Sequence, residues 1–174
     1  MSDARTSSAG SETRAFADVL LVIDAVMLLD RYPDAAHNPV DIEGDGCYGL
    51  APDNVALHGI CAAPWPIDVR AGDRLRLRWT SLAMRGEHAV LLQLSVDDES
   101  TLGGLEMHVD EHATRYAPQS GAPQAPVARE APDAFWQADV VAGGTAELNV
   151  EAIVTDRDAN VLARFRWPLP VVVP

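Results

Sequence analysis

The chain alternates between short apolar runs and polar punctuation, and the period of that alternation changes along its length. Val19 to Ile23 is a five-residue apolar run ending in Asp24. A run of this length, apolar on both faces and partly β-branched, suits a buried central strand. Ala25 to Leu29 is a second apolar run, closed by Asp30-Arg31-Tyr32-Pro33. Asp24 can cap a short helix there, because its carboxylate can accept an early backbone N–H. Tyr32-Pro33 ends it, since the residue before a proline is pushed out of the α region. Asp34 to Gly59 is rich in Pro, Gly, Asp and Asn and reads as loops with short strands.

Farther on the period becomes two. Arg74 to Thr80 alternates strictly, with Leu75, Leu77 and Trp79 on one face and Arg74, Arg76 and Arg78 on the other. That is the signature of a half-buried strand. Gly86-Glu87 is a turn before a strand from His88 to Val96, and Asp97-Asp98-Glu99-Ser100 closes it. Leu105 to Val109 predicts another strand. Ala117 to Asp133 carries prolines at 118, 123, 126 and 132, which predicts a long loop. Ala146 to Thr155 and Val161 to Trp167 flank Asp156 to Asn160, predicting a hairpin with a five-residue loop. One short helix and many turn-bounded strands predict an all-β fold, an antiparallel β-sandwich of jelly-roll-like form, with its helix directly after the first strand. No internal repeat is evident. The expected organisation is a polar tail over residues 1–16 and one domain over residues 17–174.

Charge narrows the function. The chain of 174 residues has a net charge of −13, with thirteen basic residues, all of them arginine. Nucleic-acid binding needs a basic footprint, and none is visible. A strongly acidic surface favours solubility through self-repulsion. No stretch of about 20 apolar residues is present to span a membrane, and Asp24 and Asp30 interrupt the one candidate for a signal sequence. The chain therefore reads as cytoplasmic, with no membrane partner. Two cysteines, Cys47 and Cys61, are too few for a disulfide framework. A single bridge between them is open, and reduced, partly buried thiols are the expectation in a cytosol.

Taken in order, these segments resemble the bacterial inclusion-body protein family, the PixA/AidA-like proteins. Asp18 to Asp24, Tyr32-Pro33, Asn38-Pro39, Gly72-Asp73 with Arg78-Trp79, and Phe165-Arg166-Trp167 stand where that family has its characteristic stretches. The resemblance runs from about residue 17 to the C-terminus. Trp167 is followed by Pro168-Leu169-Pro170 where the family has an acidic residue, and there are only four methionines. Crystalline-inclusion formation is therefore not carried over. The resemblance implies a non-enzymatic, self-associating cytoplasmic protein of bacteria, a homo-oligomer linked to density- or host-associated responses, with no cofactor and no catalytic residues.

Other chemistries are weighed against that reading. His108-Val109-Asp110-Glu111-His112 fits the H-x-x-E-H pattern of inverted zinc peptidases. Gly103-Gly104 before it and prolines after it argue against the helix such a site needs. On a strand His108, Asp110 and His112 would share a face and could hold a divalent metal, making a metal-dependent enzyme the second alternative. Trp65, between Pro64 and Pro66, and Trp136, after Phe135, are candidate sugar-stacking platforms. With the acidic loops they define the first alternative, a lectin-like module with a carbohydrate partner. Arg74, Arg76 and Arg78 read as a solvated outer face, with a carboxylate- or anion-ligand surface as the other reading of that row. Asp156-x-Asp158-x-Asn160 opens like a calcium loop, but Val161 and Trp167 stand where glycine and glutamate are required, so a hairpin turn is expected. Asp41, Glu43 and Asp45 read as solvated loop carboxylates.

Overall fold

The computed structural model describes residues 15–36, 38–43, 45–51, 69–82 and 86–174, with 65–66 as backbone. The first strand, β1 (Phe16–Ile23), leads through Asp24 into the helix α1 (Ala25–Arg31). The Asp24 carboxylate accepts a hydrogen bond from the Met27 N–H at 3.0 Å, as the sequence predicts. Tyr32 closes the helix by donating its N–H to the Leu28 carbonyl. Ala25 and Leu28 are the buried positions of this short helix. Gly46, which turns the chain back, accepts from the Asp24 N–H at 2.7 Å and has φ of +75°. A Cβ there would lie 2.7 Å from the Met27 side chain, so the turn needs glycine both for its φ and for its closeness to α1.

Next come β2 (Val40–Asp41), β3 (Cys47–Leu50), β4 (Trp65–Pro66), β5 (Arg74–Ser81), β6 (Ala89–Val96) and β7 (Leu102–Asp110). They are followed by β8 (Thr114–Gln119), β9 (Ala122–Glu130), β10 (Asp133–Val140), β11 (Gly144–Thr155) and β12 (Val161–Val173). One sheet has the order β3-β1-β5-β10-β7, and the other β2-β12-β11-β6 with β4 also pairing β12. Most neighbours are antiparallel, but β1 runs parallel to β5, and β12 runs parallel to β2 and β4. The expected all-β sandwich with one short helix is what forms, with these parallel pairs making the sheets mixed.

The core lies between the sheets. Val19, Leu21, Leu75, Leu77, Ala138 and Val140 cover it from the first sheet. Leu92, Leu148, Val150, Phe165 and Leu169 cover it from the second. Burying each such aliphatic or aromatic side chain contributes about 1.5–3 kcal/mol. Two tryptophans then tie sheet to sheet. Trp79 Nε1 donates to the Val90 carbonyl at 2.7 Å and Trp136 Nε1 to the Leu92 carbonyl at 2.9 Å. Both acceptors lie on β6, the last strand of its sheet, so indoles from one layer satisfy edge groups of the other.

One expectation is corrected. Ala117 to Asp133 is not a loop: most of it forms the antiparallel pair of β8 and β9 and the start of β10. The prolines fit because of where they fall. Pro118 stands directly opposite Pro126, while the Ala131 N–H donates to the Ala113 carbonyl five pairs away. Hydrogen-bonded and non-bonded pairs alternate along an antiparallel ladder, so Pro118 and Pro126 fall on a non-bonded pair where no ladder N–H is needed. In β12 the same logic admits Pro168 and Pro170, which stand opposite Asn149 and Glu147 between the stretches paired to β2 and β4.

Replacing Asp24 by Ala removes the side-chain acceptor at the start of α1. Loss of such a cap costs about 1 kcal/mol, which for this chain length lowers the melting temperature by roughly 2–4 °C. Asp24→Asn, which still caps, should melt within a degree or so of wild type on the same scale; differential scanning calorimetry on the two variants checks this.

Candidate functional site

The outer face of the first sheet carries the three arginines. β5 lies between β1 and β10, so its outward arginines meet the outward aspartates of both neighbours. Arg76 makes a two-pronged contact with Asp18, Nε and Nη2 at 2.8 and 2.7 Å. Arg78 reaches Asp18 and Asp133, and Arg74 reaches Asp139 at 3.0 Å. Asp133 also accepts from Arg115. Aromatic rings support the same row: Arg76 lies over Phe16 at 4.2 Å and Arg78 over Phe135 at 4.7 Å. Cation–π contact and ion pairing together hold these side chains flat. The face is a charge-balanced ladder whose guanidinium groups already have carboxylate partners.

The histidines sit at the far end of the neighbouring strand. His108 stacks on Phe135, ring centroids 5.2 Å apart and 14° from parallel, with Nε2 at 2.8 Å from Glu106. Asp110 ends β7, and its carboxylate accepts from the His112 N–H. His112 lies in the turn beyond, where its ring is paired with Glu130 at 3.3 Å. The strand alternation that would align the three side chains stops at Asp110, so they do not converge. Among the described residues no group of three or more His, Cys, Asp or Glu side chains could hold a metal ion. The peptidase helix is likewise replaced by strand β7.

A cleft of about 940 Å³ does form where the sheets meet, within the size range of small-molecule sites. Trp136 and Met107 line it from the first sheet, and Gln93, Asn149, Glu151 and Arg166 from the second. Glu151 stands opposite Gln93 on one side and Arg166 on the other, making a polar row across three strands. Arg166 is held by Asp41 at 3.1 Å and Glu151 by Arg164 at 2.7 Å. Trp167 also lines the cleft, and its buried Nε1 has no hydrogen-bond partner among the described residues. Of the described side chains marked in the sequence as candidate ligand contacts, Trp136 alone lies here. The others in the row occupy polar positions of strands whose alternation was legible, but only strand register brings them together. The side chain of Trp65 lies outside the described residues; its backbone pairs with Val171.

The acidic loops act structurally. Asp156 accepts from the Asn160 side chain, from the Asn160 N–H and from the Asp158 N–H, all at 2.9 Å. The Asn160 side-chain bond, then the backbone bonds, hold its carboxyl below the usual value of 3.8. It organises the hairpin turn, as expected. Asp45 pairs with Arg31. Cys47 is buried and disulfide-bonded, which corrects the expectation of a reduced thiol. The other cysteine, Cys61, lies outside the described residues. Among the described residues no helix is long and apolar enough to cross a membrane.

Comparison with known proteins agrees with this architecture. The family model described as PixA, inclusion body protein, matches residues 15–173. The fold is also similar to the crystal structure of an inclusion body protein from Burkholderia cenocepacia J2315, with a TM-score of 0.70. That similarity covers 94% of this chain and 99% of the other at 18% identity. No curated protein matches the chain significantly. With the family model spanning nearly the full length, the chain belongs to the PixA inclusion body protein family.

Proposed function

We propose that this protein is a non-enzymatic, self-associating cytoplasmic protein, accumulated as part of a density- or host-associated response. One observation carries the reading. The β8–β9 hairpin continues the β7–β10 ribbon and forms a sheet of its own, with only Ala117 and Val127 half-buried. A lone two-stranded hairpin is marginal in water, and Tyr116 within it is 73% exposed. Contact with another copy would give it the cover that the described residues do not. The non-enzymatic part is supported by the fate of the candidate chemistry, in which Arg74, Arg76, Arg78 and His112 are engaged in pairs along the sheet and its turns. A reducing cytoplasm would open the bridge at Cys47. Cys47 lies on β3, at the edge of its sheet.

Size-exclusion chromatography with light scattering, over a wide concentration range, tests this. The mass should rise above the monomer's 18.7 kDa with concentration, and more steeply as the pH approaches the isoelectric point near 4.5, where self-repulsion falls. A monomer under every condition contradicts the proposal.

The cleft favours a second reading, a module that binds carbohydrate. Trp136 and Met107 offer apolar surface, and Gln93 and Asn149 offer paired amide donors and acceptors beside it, a combination suited to a hydroxylated ring. A glycan array should then give a signal that Gln93→Ala with Asn149→Ala abolishes. An array at background, or a signal indifferent to those substitutions, removes this reading.

A further inference from the structure

Self-association leaves open which surfaces meet, and the charges on the ribbon narrow the choice. The segment Thr114 to Glu130 carries Arg115, Arg129 and Glu130, a net +1, on a chain of net −13. Arg115 stands directly opposite Arg129 in the β8–β9 register. Like charges facing each other destabilise a strand pair. Arg115 has Asp133 as a partner, whereas Arg129 makes no ion pair among the described residues. The hairpin thus holds a cationic pair that the described residues only half neutralise.

Alternate residues of a strand face opposite ways, so the other face of the hairpin presents Tyr116, Pro118, Pro126 and Ala128. An exposed tyrosine beside prolines is the kind of anchor that contributes strongly when buried in an interface, and arginine is its usual companion. This end of the ribbon is therefore cationic and partly apolar on a surface that is otherwise acidic.

The opposite end of β7 is the reverse. Its entry turn is Asp97-Asp98-Glu99-Ser100, all exposed. Asp98 accepts from the Ser100 N–H and hydroxyl, both at 2.9 Å, which shapes the turn and leaves Asp97 and Glu99 outward. β7 spans nine residues, so about 30 Å separates the turn from the hairpin at a strand's rise per residue. One copy cannot bring its own two ends together.

We infer that the β8–β9 hairpin of one copy docks on the β6–β7 turn of the next, Arg115 and Arg129 meeting Asp97 and Glu99. This rests on the self-association proposed above and gives it a direction. Because the two patches differ, the contact is heterologous, and a heterologous contact that does not close into a ring propagates as an open assembly. Packing many copies of an acidic chain then needs only that each junction neutralise its own charges.

Charge reversal at the two ends tests the inference. One variant carries Arg115→Glu and Arg129→Glu; the other carries Asp97→Arg and Glu99→Arg. All four positions lie outside the core, and circular dichroism with thermal melting confirms that each variant folds. Light scattering should find each variant alone reduced to the 18.7 kDa monomer. An equimolar mixture should recover assembly, because each reversed hairpin meets a reversed turn and each native hairpin a native turn. If wild type never assembles, self-association itself fails. If wild type assembles and either variant does so equally, or if the mixture stays monomeric, the docking mode is wrong while self-association stands.

Discussion

A strand in this protein is held by having one face covered, and that requirement sorts the whole chain. The alternation of β12 buries Ala163, Phe165, Trp167, Leu169, Val171 and Val173 in succession, and β11 answers with Ala146, Leu148, Val150 and Ala152. Against this hairpin the first sheet lays Leu21, Ile23, Leu75 and Leu77. The mutual covering of these faces fixes register, since a slip of one residue would turn every apolar side chain outward. Everything polar is then assigned to the outer faces, the edges or the turns. The indoles of Trp79 and Trp136 complete the arrangement by occupying carbonyls on the strand that ends the second sheet.

Much of that logic was legible in the sequence because it is local. The Asp24 cap, the Tyr32-Pro33 stop, the strict alternation of Arg74 to Thr80 and the hairpin around Asp156 each depend on residues close together in the chain. What was not legible depends on pairs distant in sequence. The partners of Arg76 and Arg78, Asp18 and Asp133, lie 55 to 60 residues away. The row of Gln93, Glu151 and Arg166 exists only once three strands are in register. Proline misled in the other direction: its count in Ala117 to Asp133 suggested a loop, whereas its placement opposite another proline left the ladder intact. The parity of a proline within a strand pair matters more than its frequency, and parity appears only with the pairing.

The two layers and the projecting hairpin thus divide the work. The sheets consume their apolar surface internally and tie down the arginines, histidines and aspartates that would otherwise suggest chemistry. The cleft places Trp136 beside two amides, and the hairpin keeps Tyr116 exposed and Arg129 without an ion pair among the described residues. Membership of the PixA inclusion body protein family fits a molecule whose uncommitted features lie in surfaces for contact.

The central claim is that Thr114 to Glu130 finds no cover among the described residues of its own chain and gains it from another copy. Amide hydrogen exchange read by mass spectrometry, at low and high protein concentration, addresses this directly. The account predicts that peptides from this segment exchange rapidly in dilute solution and become protected on concentration, while peptides from β11 and β12 stay protected throughout. Protection of the hairpin that is equal in both samples, whether high or low, would contradict it.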